Sequence, residues 1–140
     1  MDHPGSTLGI RQRPGPRNSL GLAKFIFPND HNVYMHGTPA TELFSRTRRD
    51  FSHGCIRLED PARFAVWVLN NPKEWPLAEV RKVMDGSKPR KVNLERPLPV
   101  VIYYSTAAVR KDGSVAFFDD VYRHDAELEA LLAKGYPFAP

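Results

Sequence analysis

Apolar and polar positions alternate only over short distances in this chain, and Gly, Pro and Asn interrupt every run. Residues 1–21, with Gly9-Ile10-Arg11-Gln12-Arg13-Pro14-Gly15-Pro16, hold no period and read as loop. Residues 22–27 predict a strand that stops at the turn cluster Pro28-Asn29-Asp30, and residues 32–35 predict a second. Thr38-Pro39 places a hydroxyl at an N-cap and proline at the first helical position, predicting a helix to about Arg46. Residues 51–58 read as a loop entering a short strand. Asp60-Pro61 repeats the helix start, and Phe64, Ala65, Val68 and Leu69 form its stripe up to Asn70-Asn71-Pro72. A shorter helix follows from Pro76, with Leu77, Val80 and Met84 inward and Gly86 closing it.

Beyond residue 90 the period changes. Residues 91–94 and 99–106 are strand-like, and the unbroken run Val100-Val101-Ile102-Tyr103-Tyr104 predicts a buried central strand. Asp112-Gly113 is a hairpin turn leading into residues 114–118. Residues 126–134 predict a closing helix with Leu128, Leu131 and Leu132 inward and Gly135 as its cap. The class expected is α+β, with a mostly antiparallel sheet and a few short helices.

At 140 residues the chain suffices for a single domain. Its 41% hydrophobic and 26% charged content is that of a globular protein, and no apolar run reaches the length of a membrane span. Thirteen prolines favour short elements joined by fixed turns. The net charge of +4 is too small to argue for nucleic acid. The first residues lack the basic flank and apolar stretch of a secretory signal.

One cysteine, Cys55, rules out an internal disulfide and multi-cysteine metal sites. A lone cysteine is most simply a small buried hydrophobe. The tetrapeptide Ser52-His53-Gly54-Cys55 points elsewhere. A thiol with a pKa of about 8.5 needs a nearby base or positive charge to act as a nucleophile at neutral pH. His53 and His36 are both candidates for that base. Gly54 lets the backbone approach a substrate, and successive N–H groups around it could serve an oxyanion. A zinc site from His36, His53 and Cys55 has acceptable ligand types but lacks the order of a zinc motif. Arg46, Arg48 and Arg49 read as a solvated face, Trp67 and Trp75 as core or rim packing, and His3, His31 and His124 as surface residues.

The hexapeptide Ser52-His53-Gly54-Cys55-Ile56-Arg57, preceded by His36-Gly37-Thr38-Pro39, resembles the signature of the L,D-transpeptidase catalytic domain, or YkuD domain. Gly9-Ile10-Arg11-Gln12, Pro14-Gly15-Pro16, Asn18-Ser19-Leu20-Gly21, Lys24-Phe25-Ile26-Phe27-Pro28-Asn29 and Val33-Tyr34-Met35-His36 are similar to its larger, Gram-negative branch. Residues 99–104, Gly113 and Asp119-Asp120-Val121-Tyr122 look like that branch's closing strands.

The resemblance implies Cys55 as nucleophile, His36 as general base and the Gly37 carbonyl as the group that orients His36. It implies an oxyanion site from the N–H groups of Gly54 and Cys55, with Ser52 and His53 positioning the loop and Arg57 meeting a substrate carboxylate. The implied reaction forms 3→3 cross-links between peptidoglycan stem peptides through a thioester, without metal or organic cofactor. Stem tetrapeptides would be donors, carbapenem-type inhibitors would acylate the thiol, and the setting would be the periplasm or cell envelope. An L,D-carboxypeptidase and a non-catalytic remnant that binds the wall are the alternatives. The family's mostly β sheet or sandwich has leading strands for which this chain leaves no room. The expectation is an N-terminally truncated, marginally stable C-terminal portion of a longer protein.

Overall fold

The computed structural model describes residues 12–135. Among these the order is β1 (Lys24–Phe25), β2 (Met35–His36), a 3-10 turn (Thr41–Ser45), β3 (Ile56–Arg57), α1 (Pro61–Leu69), α2 (Leu77–Met84), β4 (Ala107–Val109), β5 (Val115–Phe117) and α3 (Asp125–Ala133). The class is mixed α+β. The chain divides into two compact units, one ending at Pro99 and one beginning at Val100.

In the first unit β2 lies between β1 and β3. The β1–β2 pair is antiparallel, with Lys24 opposite His36 and Phe25 opposite Met35. The β2–β3 pair is parallel, with Met35 opposite Ile56 and His36 opposite Arg57. Parallel neighbours need a long crossover, and residues 37–55 supply it. Side chains alternate between the faces of a sheet, so this register sorts them. Phe25, Met35 and Ile56 share one face; Lys24, His36 and Arg57 share the other.

The helices form where capping chemistry starts them. Asp60 accepts from the Arg63 N–H at 2.9 Å and Pro61 follows it as the first helical residue. Asn70, left-handed at φ 46°, ends α1, and the Trp75 N–H then donates to the Asn71 carbonyl at 2.8 Å. These turns fold α2 back on α1. Their core is Ala62, Ala65, Trp75 and Val80, with Phe25, Leu69, Leu77 and Met84 packed around it. The Phe25 ring meets the Phe64 ring edge-on at 4.9 Å, tying the sheet to α1. Trp75 is buried as core, with the Arg90 guanidinium 4.5 Å from its ring, whereas Trp67 is exposed. A groove of about 760 Å³ stays open along this core, walled by Phe25, Leu69, Trp75, Val80 and Met84.

The second unit is a hairpin and a helix. Asp112 accepts from the backbone and hydroxyl of Ser114, and Gly113 takes φ 83°, which turns β4 into β5. Tyr104 donates to Asp120 at 2.7 Å and packs its ring against Tyr122 and His124. Thr106 donates to Asp125 at 2.8 Å at the start of α3.

Four sequence expectations need correction. The run from Val100 to Tyr104 is not a buried central strand: it pairs with no strand among the described residues, and Val101 is 82% exposed. An apolar run becomes a strand only where a neighbour supplies partners, and the phenol of Tyr104 is engaged by Asp120 instead. Residues 91–94 are likewise exposed and form no strand. Leu128, Leu131 and Leu132 lie on α3 but stay substantially exposed, because apolar residues spread around that helix rather than along one stripe. The helix expected from Thr38 contracts to the 3-10 turn. Thr38 Oγ1 accepts from the Ala40 N–H and the Ser45 hydroxyl donates to the Glu42 carbonyl, so side chains compete for backbone hydrogen bonds. Asp60-Pro61, the helix at Pro76, the Asp112-Gly113 hairpin and the presence of a closing helix stand as read.

Candidate active site

His36 ends β2 and is the one polar or charged residue buried among those described, at 5% exposure. Its Nδ1 is hydrogen-bonded to the carbonyl of Gly37. A carbonyl can only accept, so Nδ1 carries the proton and Nε2 is left with a lone pair. The tautomer suited to a general base is therefore fixed by the backbone.

That backbone is itself held. The Gly37 N–H donates to the Ala23 carbonyl at 3.0 Å, and the Leu58 N–H donates to the His36 carbonyl at 2.8 Å. Gly21, at φ 64°, sits so close that a Cβ there would stand 2.5 Å from the Gly37 carbonyl carbon. From another side Pro61 Cγ would lie 3.1 Å from a Cβ on Gly37. Gly21 therefore requires glycine, a Cβ on Gly37 would press on the Pro61 ring, and together these approaches leave the Gly37 peptide little freedom.

Cys55 precedes β3 and is half-buried with its thiol free. The Ile56 N–H donates to the Tyr34 carbonyl at 3.0 Å, so the register extends one residue and sets Cys55 opposite Tyr34. By alternation Tyr34 and Cys55 share the face of Lys24, His36 and Arg57. His36 and Cys55 are thus diagonal neighbours on adjacent strands. The Tyr34 ring lies 5.8 Å from the His36 ring, and the Lys24 ammonium sits 3.7 Å from the Tyr34 ring centre. Burial pushes the Tyr34 phenol above its ordinary pKa, and the charge and hydrogen bonding of Cys55 push it the same way.

Ser52 shapes the loop before Cys55. Its hydroxyl donates to the Cys55 carbonyl at 2.7 Å and accepts from the Gly54 N–H at 3.3 Å. Gly54 takes φ 143°, a conformation that side chains disfavour. His53 is exposed on this loop. Arg57 donates to the Phe51 carbonyl at 3.2 Å, closing the other side. The basic run nearby is locally paired: Arg48 makes two bonds of 2.7 Å to Asp50, and Arg49 donates to the Arg46 carbonyl. The Arg48 bond holds the Asp50 carboxyl below its usual range.

All seven residues expected at the site thus fall at the end of β2 or just after it, on β3 or on the loop entering β3. Sequence reasoning quoted both Tyr34 and Lys24 in motifs but gave neither a role. Their position two residues, and one antiparallel register step, from His36 was the available signal. No group of three or more metal-ligating side chains occurs among the described residues. No helix among them is long and apolar enough to cross a membrane.

The family model of the L,D-transpeptidase catalytic domain, YkuD, matches residues 2–102. A Haemophilus influenzae protein named "Putative L,D-transpeptidase" is 34% identical over 134 residues. The match covers 91% of this chain and 26% of that relative, so the chain spans about a quarter of the relative's length. The chain belongs to the L,D-transpeptidase catalytic domain family.

Proposed function

We propose that this chain catalyses acyl transfer on peptidoglycan stem peptides, with Cys55 as nucleophile and His36 as general base. The observation that carries the reading is the His36–Gly37 bond. It leaves Nε2 ready to accept a proton on the sheet face that Cys55 shares. Family membership supplies the substrate class.

In the first step Nε2 of His36 takes the Cys55 thiol proton, and Sγ attacks the carbonyl of the third residue of a stem tetrapeptide. The oxyanion is met by the N–H groups of Gly54 and Cys55, with Ser52 and His53 shaping their loop. His36 then returns its proton to the leaving amine of the terminal D-alanine, leaving a thioester. In the second step a side-chain amine of a neighbouring stem attacks the thioester, forming a 3→3 amide and restoring the thiol. Base catalysis and oxyanion stabilisation each contribute roughly two to three orders of magnitude in such steps. Arg57 supplies positive charge for a stem carboxylate. The chemistry proposed needs no cofactor, and its setting is the cell envelope.

Incubation with a carbapenem, an activated acyl donor, tests the first step. Intact-mass spectrometry should find one adduct, absent in Cys55→Ala. An adduct that persists in that variant would overturn the assignment. Products from a stem tetrapeptide with and without an added amine then separate cross-linking from hydrolysis by an L,D-carboxypeptidase.

A further inference from the structure

The face that carries His36 and Cys55 holds two residues that the two-step scheme does not use. Tyr34 stands directly across the parallel ladder from Cys55, and the Ile56 N–H bond to the Tyr34 carbonyl fixes that register at 3.0 Å. Directly paired residues on neighbouring strands point the same way, so the phenol and the thiol lie side by side. The Tyr34 ring is gripped from two directions. His36 packs at 5.8 Å, and the Lys24 ammonium, brought in by the Lys24–His36 pairing of β1 and β2, lies 3.7 Å from the ring centre. A phenol donates one hydrogen bond, and a thiolate only accepts. The sulfur is the acceptor this geometry offers.

We propose that Tyr34 is a positioning residue for Cys55: its phenol O–H donates to Sγ, which holds the side chain toward His36 and favours the thiolate. Lys24 clamps the ring and adds positive charge to the same face. The proton stays on Tyr34 throughout, and His36 remains the base. The raised pKa of Tyr34, caused first by burial and then by the charge and hydrogen bonding of Cys55, agrees with this. The charged and titratable groups facing Cys55 are Lys24 from β1, Tyr34 and His36 from β2, Arg57 from β3 and His53 from its own loop. The role in catalysis rests on Cys55 being the nucleophile. The proposed O–H to Sγ bond does not depend on that assignment.

The test is the pH profile of Cys55 alkylation by iodoacetamide in the full chain, which reads thiolate whether or not the protein is a transpeptidase. Tyr34→Phe keeps the ring and removes the donor. It should slow alkylation at pH 7 about tenfold to a hundredfold, the scale of one hydrogen bond to a charged group. The deficit should close above a pH of about 9.5, where an ordinary thiol ionises unaided. A general loss of structure would not vanish at high pH in this way. Superimposed profiles would overturn the proposal. An independent reading uses Cys55→Ala, in which one tyrosine should titrate at lower pH by tyrosinate absorbance; an unchanged titration would also overturn it. Carbapenem acylation of the wild-type chain, run in parallel, reports separately on the nucleophile assignment.

Discussion

Gly21 and Gly37 meet backbone to backbone: a Cβ on Gly21 would stand 2.5 Å from the Gly37 carbonyl carbon and equally close to the Thr38 nitrogen. The Gly37 carbonyl is the group that holds His36 Nδ1. A loop fifteen residues upstream in sequence therefore helps to aim the imidazole.

Gly21→Ala should consequently damage activity through geometry rather than chemistry. The methyl group has no room beside backbone atoms, and φ 64° disfavours any side chain. A clash and a left-handed alanine together should cost about 1–3 kcal/mol. Displacing Gly37 should also slow acylation of Cys55 by roughly tenfold or more, on the general rule that small misplacements near a reacting group are expensive. Carbapenem acylation rates on the folded fraction check this. Wild-type kinetics in a destabilised variant would show that Gly37 does not depend on Gly21.

The two histidines should separate cleanly. His36→Ala removes the proposed base and should lower the acylation rate by about two to four orders of magnitude. His53 is exposed on the loop, so His53→Ala should leave a thiol that His36 still activates. Stopped-flow measurement with a chromogenic acyl donor distinguishes them, and the reverse order of effects would exchange their roles.

How much of this could be read from residues alone varied with the range of the interaction. The start of α1 was legible in Asp60-Pro61, and the hairpin in Asp112-Gly113, because capping and turn chemistry act over three or four residues. The candidate site residues could be named because Ser52-His53-Gly54-Cys55 is contiguous and a histidine–glycine pair precedes it, and the register places both segments on neighbouring strands. The Tyr34–Cys55 pairing was not, since it depends on the register that a nineteen-residue crossover delivers. The fate of Val100-Val101-Ile102-Tyr103-Tyr104 was misread for the same reason. Hydrophobicity describes what a strand would bury, while only a partner strand makes the burial happen.

Asp120 should give the second unit a modest acid sensitivity, because solvent screens its little-buried carboxyl. The Tyr104 phenol is the first cause that holds its carboxyl below the usual range, and the Asp125, His124 and Arg123 N–H groups act the same way. A carboxyl whose folded pKa is depressed contributes stability that is present above its unfolded pKa of about 3.9 and is lost as pH falls through the folded value. Carbon-detected NMR should therefore find Asp120 still ionised where ordinary aspartates protonate. Tyr104→Phe should move its titration up toward the ordinary range. No movement would mean that the N–H groups alone hold the carboxylate.

The hydrophobic core is thin, and that should dominate the stability of the 140-residue chain. Its buried hydrophobic residues among those described are Ala62, Ala65, Trp75, Val80 and Ala116, and no described side chain is fully buried. Three of the five are alanines, which bury little area. Trp75 is the largest of them, at 6% exposure, with one face against the α1–α2 core and the Arg90 guanidinium near its ring. Replacing a core tryptophan by alanine costs about 3–5 kcal/mol, against roughly 5–15 kcal/mol for a whole ordinary domain. Here the reserve should be at or below the lower end of that range. Trp75→Ala should therefore abolish the cooperative unfolding of the first unit, while Trp67→Ala, at an exposed position, should leave it intact. The wild-type chain should unfold below about 50 °C and bind hydrophobic dyes through its open groove and exposed apolar run. A sharp calorimetric transition above about 60 °C, toward the top of the mesophile range, would show that the few side chains around Trp75 suffice.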